Sequence, residues 1–141
     1  MFNIKNGKLY LEKFKINIDQ NLTHKEFCSS ELYKKATPFI INPPYNSYKV
    51  EEYIEILGGK FIMVLFFQNE KLKRVNLSLY NPNDFDSWDN WSEEKELGIK
   101  KRQDILLKQN LGDPPYEYYW GSLESIYDKR SGSAYLLISY P

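Results

Sequence analysis

Gly58-Gly59-Lys60-Phe61-Ile62-Met63-Val64-Leu65-Phe66-Phe67-Gln68-Asn69-Glu70-Lys71-Leu72-Lys73-Arg74-Val75-Asn76-Leu77-Ser78-Leu79-Tyr80 is the stretch whose reading decides the fold. Residues 61–67 are apolar without a break, which is far too short to span a membrane. The run is rich in aromatic and β-branched residues and is bounded by turn signals, so it reads as a strand. Because it is apolar on both faces, the expectation is a central strand covered on both sides. Asn69-Glu70-Lys71 reads as a turn, and residues 72–80 alternate, with Val75, Leu77 and Leu79 inward. On the other side, Gly58-Gly59 is a tight-hairpin signal joining residues 48–57 to the apolar run. The nucleus is therefore an antiparallel meander of three strands.

Working outward, residues 38–47 hold Pro38, Pro43 and Pro44 and read as an extended connection or an edge segment. Thr23-His24-Lys25-Glu26 has the spacing of a capping box, in which the Thr side chain and the Glu side chain each bond the other residue's backbone N–H. It predicts a short helix over residues 23–35, stopped before Pro38. Residues 9–19 alternate, with Tyr10, Phe14, Ile16 and Ile18 on one face, and read as a half-buried strand. Downstream, residues 81–91 read as a loop and residues 92–110 as a helix. Its early Glu93, Glu94 and Glu96, with Lys100, Lys101 and Arg102 further on, suit the helix dipole. Gly112 is the expected C-terminal cap, and Pro114-Pro115 forbids continuation. On a helical wheel Ile99, Ile105, Leu106, Gly98 and Arg102 share a face headed by Trp91, so Arg102 either has a buried partner or packs its stem and sends its head to solvent. Residues 116–128 and 134–140 read as two strands around a turn at 129–133. The expectation is one α+β domain over residues 1–141, in the order β-α-β-β-β-α-β-β, mainly an antiparallel sheet with two helices packed on it.

Chemistry is scarce in this chain. Lys+Arg and Asp+Glu are 19 each, so no global positive field favours nucleic acid. The single cysteine, Cys28, excludes an intrachain disulfide and fits a reducing compartment. Met1-Phe2-Asn3-Ile4-Lys5-Asn6-Gly7 has no apolar signal core, so the expected location is cytoplasmic, without a membrane partner. His24 is the only histidine and is expected to be exposed; it lies one helical turn from Cys28, with no acid or amide placed by sequence to orient it. One Cys and one His cannot supply a zinc site. There is no glycine-rich phosphate loop, and the acidic spacing of Asp84, Asp86 and Asp89 fails the register of a calcium loop. No catalytic residue, metal or cofactor is expected. The acidic segment does interleave with Phe85, Trp88 and Trp91. The two tryptophans either tuck under the helix start or stand out as interface anchors.

One stretch goes beyond composition. Leu111-Gly112-Asp113-Pro114-Pro115, followed by Tyr119-Trp120-Gly121-Ser122-Leu123-Glu124-Ser125-Ile126-Tyr127-Asp128-Lys129-Arg130-Ser131-Gly132-Ser133, resembles the closing motif of a family of small bacterial proteins of immunity type. Ser87-Trp88 and Trp91-Ser92-Glu93-Glu94 are similar to that family's approach to the helix. The helix, its Leu-Gly cap and the hairpin also look distantly like β-lactamase inhibitory protein and the outer-membrane assembly lipoprotein that shares its fold. The resemblance implies a protein that neutralises a toxin by binding it and brings no catalytic residue. Within the motif Gly121 allows a close approach to its strand, while Asp128, Arg130 and Ser131 organise a turn. Arg102, Gly112, Trp120 and Tyr127 complete the structural set, with Asp128 a candidate partner for Arg102.

The sequence thus favours a protein-binding module over an enzyme, with Asp84, Phe85, Asp86, Trp88 and Asp89 as the expected contact surface. An acidic surface suits a basic toxin such as a nuclease. The alternatives are a small-ligand or carbohydrate-binding domain, or a small enzyme, with a pocket between helix and sheet. The oligomeric state expected is a monomer or a weak homodimer.

Overall fold

The computed structural model describes residues 2–3, 5–80 and 92–141. The acidic segment and Trp91 lie outside the described residues. The elements run β1 (Phe2–Asn3), β2 (Lys8–Leu11), β3 (Ile16–Ile18), α1 (His24–Cys28), β4 (Ala36–Asn42), β5 (Tyr45–Val50), β6 (Ile54–Ile56), β7 (Gly59–Gln68), β8 (Lys71–Leu79), α2 (Glu93–Leu111), β9 (Tyr116–Tyr118), β10 (Gly121–Asp128) and β11 (Ser133–Ser139), with short 3₁₀ turns at Glu12–Phe14 and Leu32–Lys35. The fold is α+β, as the sequence predicts.

An antiparallel sheet of eight strands carries the molecule, in the order β4-β5-β7-β8-β11-β10-β9, with β6 beside β7 in line with β5. The meander sits at its centre: Leu65 faces Val75 and Met63 faces Leu77, and β8 then pairs with β11 through Val75–Ile138 and Leu77–Leu136. Alternation puts Phe61, Met63, Leu65, Phe67, Val75, Leu77, Leu136 and Ile138 on one face, and all are buried. Three bodies cover that face. Phe27 of α1 packs on Tyr48 and Phe67, with ring centroids 5.0 and 5.4 Å away. Leu107 of α2 is buried in the same core. The separate sheet β1-β2-β3 is tied on by Tyr140, whose hydroxyl donates to the Gly7 carbonyl at 3.0 Å.

The opposite face departs from expectation. Ile62, Val64 and Phe66 of β7 are only half-buried. Both helices and the small sheet pack on the first face, so among the described residues the central strand is covered on one side.

Three further features differ from the sequence reading. Residues 9–19 form a hairpin, not one strand: the chain turns at Glu12–Phe14, and Lys15 takes a left-handed φ of 51°. Leu9 and Leu11 face inward, while Tyr10 is exposed. The helix predicted for 23–35 stops at Cys28, where the Ser30 hydroxyl donates to the Phe27 carbonyl at 2.6 Å and competes with the helical ladder. The segment at 38–47 takes the edge position that was one of its two readings, with β4 at the margin of the sheet and joined to β5 in a hairpin. In α2 the buried positions are Gln103 and Leu107, with Ile105 exposed. The predicted wheel was off by about one residue because the apolar stripe is sparse, and Arg102 falls just outside the packed side.

Candidate functional site

His24 and Cys28 do meet. Cys28 Sγ lies 3.4 Å from His24 Nε2, as their one-turn spacing allows. The capping box that places them is complete: the Thr23 hydroxyl oxygen accepts from the Glu26 N–H at 3.0 Å, and Glu26 Oε1 accepts from the Thr23 N–H at 3.3 Å. Two residues far away in sequence join them. The Tyr48 hydroxyl is 2.6 Å from His24 Nε2, and a Glu70 oxygen is 4.0 Å from Nδ1. Glu70, in the β7–β8 turn, also clamps the start of α1: its backbone carbonyl accepts from His24 N–H at 3.0 Å and its carboxylate from Lys25 N–H at 3.1 Å. Sequence reasoning missed this acid because only the hairpin's position on the sheet brings it to the helix. His24, expected exposed, has a side chain only 21% exposed.

The chemistry of this cluster follows from who occupies which nitrogen. With Glu70 opposite Nδ1, the tautomer protonated there leaves Nε2 as the acceptor, and the nearest donor is the Tyr48 hydroxyl. The base a thiol would need is thus already engaged. Burial, with the charge of Glu70 behind it, pushes the Cys28 thiol up despite its hydrogen bond with Tyr48. Reactive cysteines are pushed the other way. Burial likewise pushes Tyr48 up to about 12. The cluster is a polar knot that fastens α1 to the sheet. Among the described residues no group of three or more His, Cys, Asp or Glu is placed to hold a metal ion, and no helix is long and apolar enough to cross a membrane.

The residues of the closing motif are brought together as scaffold. Trp120 is fully buried, stacked on Tyr118 at 5.2 Å and edge-on to Phe2 at 5.9 Å. Gly121, at φ 144°, lies so close to β11 that a β-carbon would sit 1.9 Å from the Ser139 carbonyl oxygen. Asp128 organises its turn by accepting from Arg130 N–H at 2.9 Å; the Ser131 hydroxyl sits 2.6 Å from that of Ser133. Tyr127 donates to Glu93 at 3.1 Å, and Gly112 caps α2 with its N–H on the Lys108 carbonyl. Arg102 is exposed, and the Asp128 carboxylate accepts from the Arg130 N–H at 2.9 Å and from the Tyr135 hydroxyl at 3.5 Å.

The surface feature that stands out is the sheet edge at β4. Phe39, Ile40 and Ile41 are 55, 52 and 51% exposed, and Tyr45 across the turn is 54% exposed. No charged residue occurs from Ala36 to Asn42, although Pro38 and a bulge between Pro38 and Ile40 interrupt the strand. Next to this edge a cavity of about 390 Å³ is lined by Ile40, Tyr45, Phe66 and Arg74, with the Arg74 guanidinium 4.3 Å from the centre of the Phe66 ring. The sequence reading treated residues 38–47 as a possible edge but assigned it no function, because the exposure of Phe39, Ile40 and Ile41 depends on where the strand lies in the sheet.

No protein-family model, curated protein or solved structure matches the chain.

Proposed function

We propose that the chain is a cytoplasmic protein-binding module, an immunity protein that neutralises a cognate bacterial toxin domain by capturing it, and that capture begins at β4. One observation carries this reading: an uncharged edge strand presents Phe39, Ile40 and Ile41 to solvent beside an apolar cavity rimmed by Arg74. Proteins normally blunt such edges with charge, because unpaired backbone groups recruit another strand. The partner envisaged adds an extended segment to β4 and seats an apolar side chain against Tyr45 and Phe66, with a carboxylate to meet Arg74. The acidic and aromatic residues Asp84, Phe85, Asp86, Trp88 and Asp89 remain the contact expected from sequence.

The test is co-expression with the toxin domain encoded beside the chain's own gene. The wild-type chain is expected to rescue growth, and Ile41→Lys to abolish rescue at an unchanged melting temperature. Rescue that survives Ile41→Lys removes β4 from the interface. Failure of the wild-type chain to rescue removes the immunity reading.

A further inference from the structure

The sheet face turned away from the helices carries an ordered row of side chains. Register places Lys49 opposite Val64, Val64 opposite Asn76, Asn76 opposite Leu137 and Leu137 opposite Glu124, one residue from each of β5, β7, β8, β11 and β10. Each is out of phase with the buried positions of its strand, so all of them point away from the core. Lys49, Val64, Asn76 and Leu137 are half-buried and Glu124 is exposed. In the next row Ile62 lies opposite Ser78 and Tyr135 opposite Ile126, all half-buried.

Two features of this row select its occupant. The first is its order. From β5 to β10 it runs base, apolar, amide, apolar, acid, with β8 in the middle. A two-fold axis lying along β8, between stacked faces, reverses that order in a second copy. Lys49 of one copy then meets Glu124 of the other, Val64 meets Leu137, and Asn76 meets its own equivalent. An axis across the strands would set Lys49 on Lys49 and Glu124 on Glu124, so charge favours the first arrangement. Neither Lys49 nor Glu124 has an ion-pair partner among the described residues. The second feature is Asn76 itself. Its carboxamide oxygen is buried without a hydrogen-bond partner, although the residue as a whole is only half-buried. It stands between Val64 and Leu137, where an apolar side chain would avoid the cost of an unsatisfied group. On the axis its amide meets an identical amide, and a half-turn about χ2 lets each oxygen accept from the other's N–H. Sheets stacked face to face lie about 10 Å apart, a gap that two asparagine side chains span end to end. A buried asparagine fixes register and copy number in coiled coils by the same self-pairing. Arg74, also on β8, leans its guanidinium onto the Phe66 ring of β7, 4.3 Å from the centre, and so off the axis.

We infer that the chain forms a weak homodimer by stacking this face on that of a second copy, about an axis along β8. Aligned stacking of this kind is the packing of β-sandwiches. Five strands about 4.8 Å apart and three residue rows about 6.8 Å apart give roughly 500 Å² per copy, or about 1,000 Å² in all. That is the lower limit for a specific interface and fits a dimer that forms only at high protein concentration. The β4 edge stays at the margin of each sheet, so dimerisation does not depend on capture there.

The test is sedimentation velocity of the full chain between about 1 μM and about 1 mM, with a charge-swap cycle. The wild-type chain is expected to pass from monomer to dimer across that range. Lys49→Glu and Glu124→Lys are each expected to weaken the dimer about tenfold, since each turns two symmetry-related attractions into repulsions. The doubly swapped chain is expected to recover wild-type association. Within one chain the two sites lie four strand spacings apart, about 19 Å, so recovery can come only from contact between copies. Ile41→Lys is expected to leave the dimer intact, which separates this face from β4. A wild-type chain that stays monomeric to about 1 mM, single reversals without effect, a double swap that does not recover, or a dimer lost in Ile41→Lys would each overturn the assignment.

Discussion

Gly121 shows how one residue sets a constraint that its neighbours cannot relax. Its φ of 144° is a conformation L-residues rarely adopt, and the atom a side chain would strike is backbone, the Ser139 carbonyl oxygen. Gly121→Ala is expected to cost about 3 kcal/mol or more, read from a urea melt; an unchanged midpoint would mean that β10 and β11 can part without loss. Gly7→Ala strikes the Trp120 side chain instead, at 2.4 Å, also from a positive φ. Tyr48 sets a different kind of constraint. Its hydroxyl is held up to about 12 in the folded chain, mainly by burial, against about 10 when unfolded. Below pH 10 both states keep the proton. Above it the unfolded chain releases first, so stability is lost as pH rises from 10 through about 12. Tyr140, also pushed up by burial, adds to the loss in the same direction. The urea midpoint should fall across that window, and Tyr48→Phe should make the fall shallower; an equally steep fall in the variant would dissociate Tyr48 from it.

Among the elements, α1 is the one most dependent on its ends. It spans five residues, and its capping box and Glu70 satisfy the N–H groups of its first turn. Thr23→Ala is expected to cost about 1 kcal/mol, measured by thermal or urea unfolding, and to speed amide exchange at Phe27. Full stability in that variant would mean that Glu70 and packing alone hold the helix. The capping box was legible from Thr23 and Glu26, as were the α2 limits from Ser92 and Gly112 and the meander from residues 61–80. These signals are local, and local chemistry decides them. The early end of α1 and the break at Lys15 were not legible, since one depends on a serine hydroxyl choosing a carbonyl and the other on a left-handed lysine. Nor was the approach of Glu70 to His24, 46 residues apart in sequence, which follows only once β7, β8 and α1 are stacked.

Across the whole molecule, the two edges of the sheet differ in kind. The β9–β10 edge borders a cavity lined by charged and polar side chains as well as apolar ones, whereas the β4 edge is apolar and open to solvent. The sequence pointed to a binding surface and placed it at Asp84 through Asp89, because acid and aromatic side chains alternate there; the exposure of Phe39, Ile40 and Ile41 emerges only when β4 is found at the margin of the sheet. The proposal that β4 captures a toxin domain is tested most directly by hydrogen exchange of the chain alone and in complex with a toxin domain whose growth arrest it relieves. Exchange at Phe39, Ile40, Ile41 and Asn42 is predicted to slow in the complex. A stable complex in which exchange along β4 is unaltered would contradict the proposal.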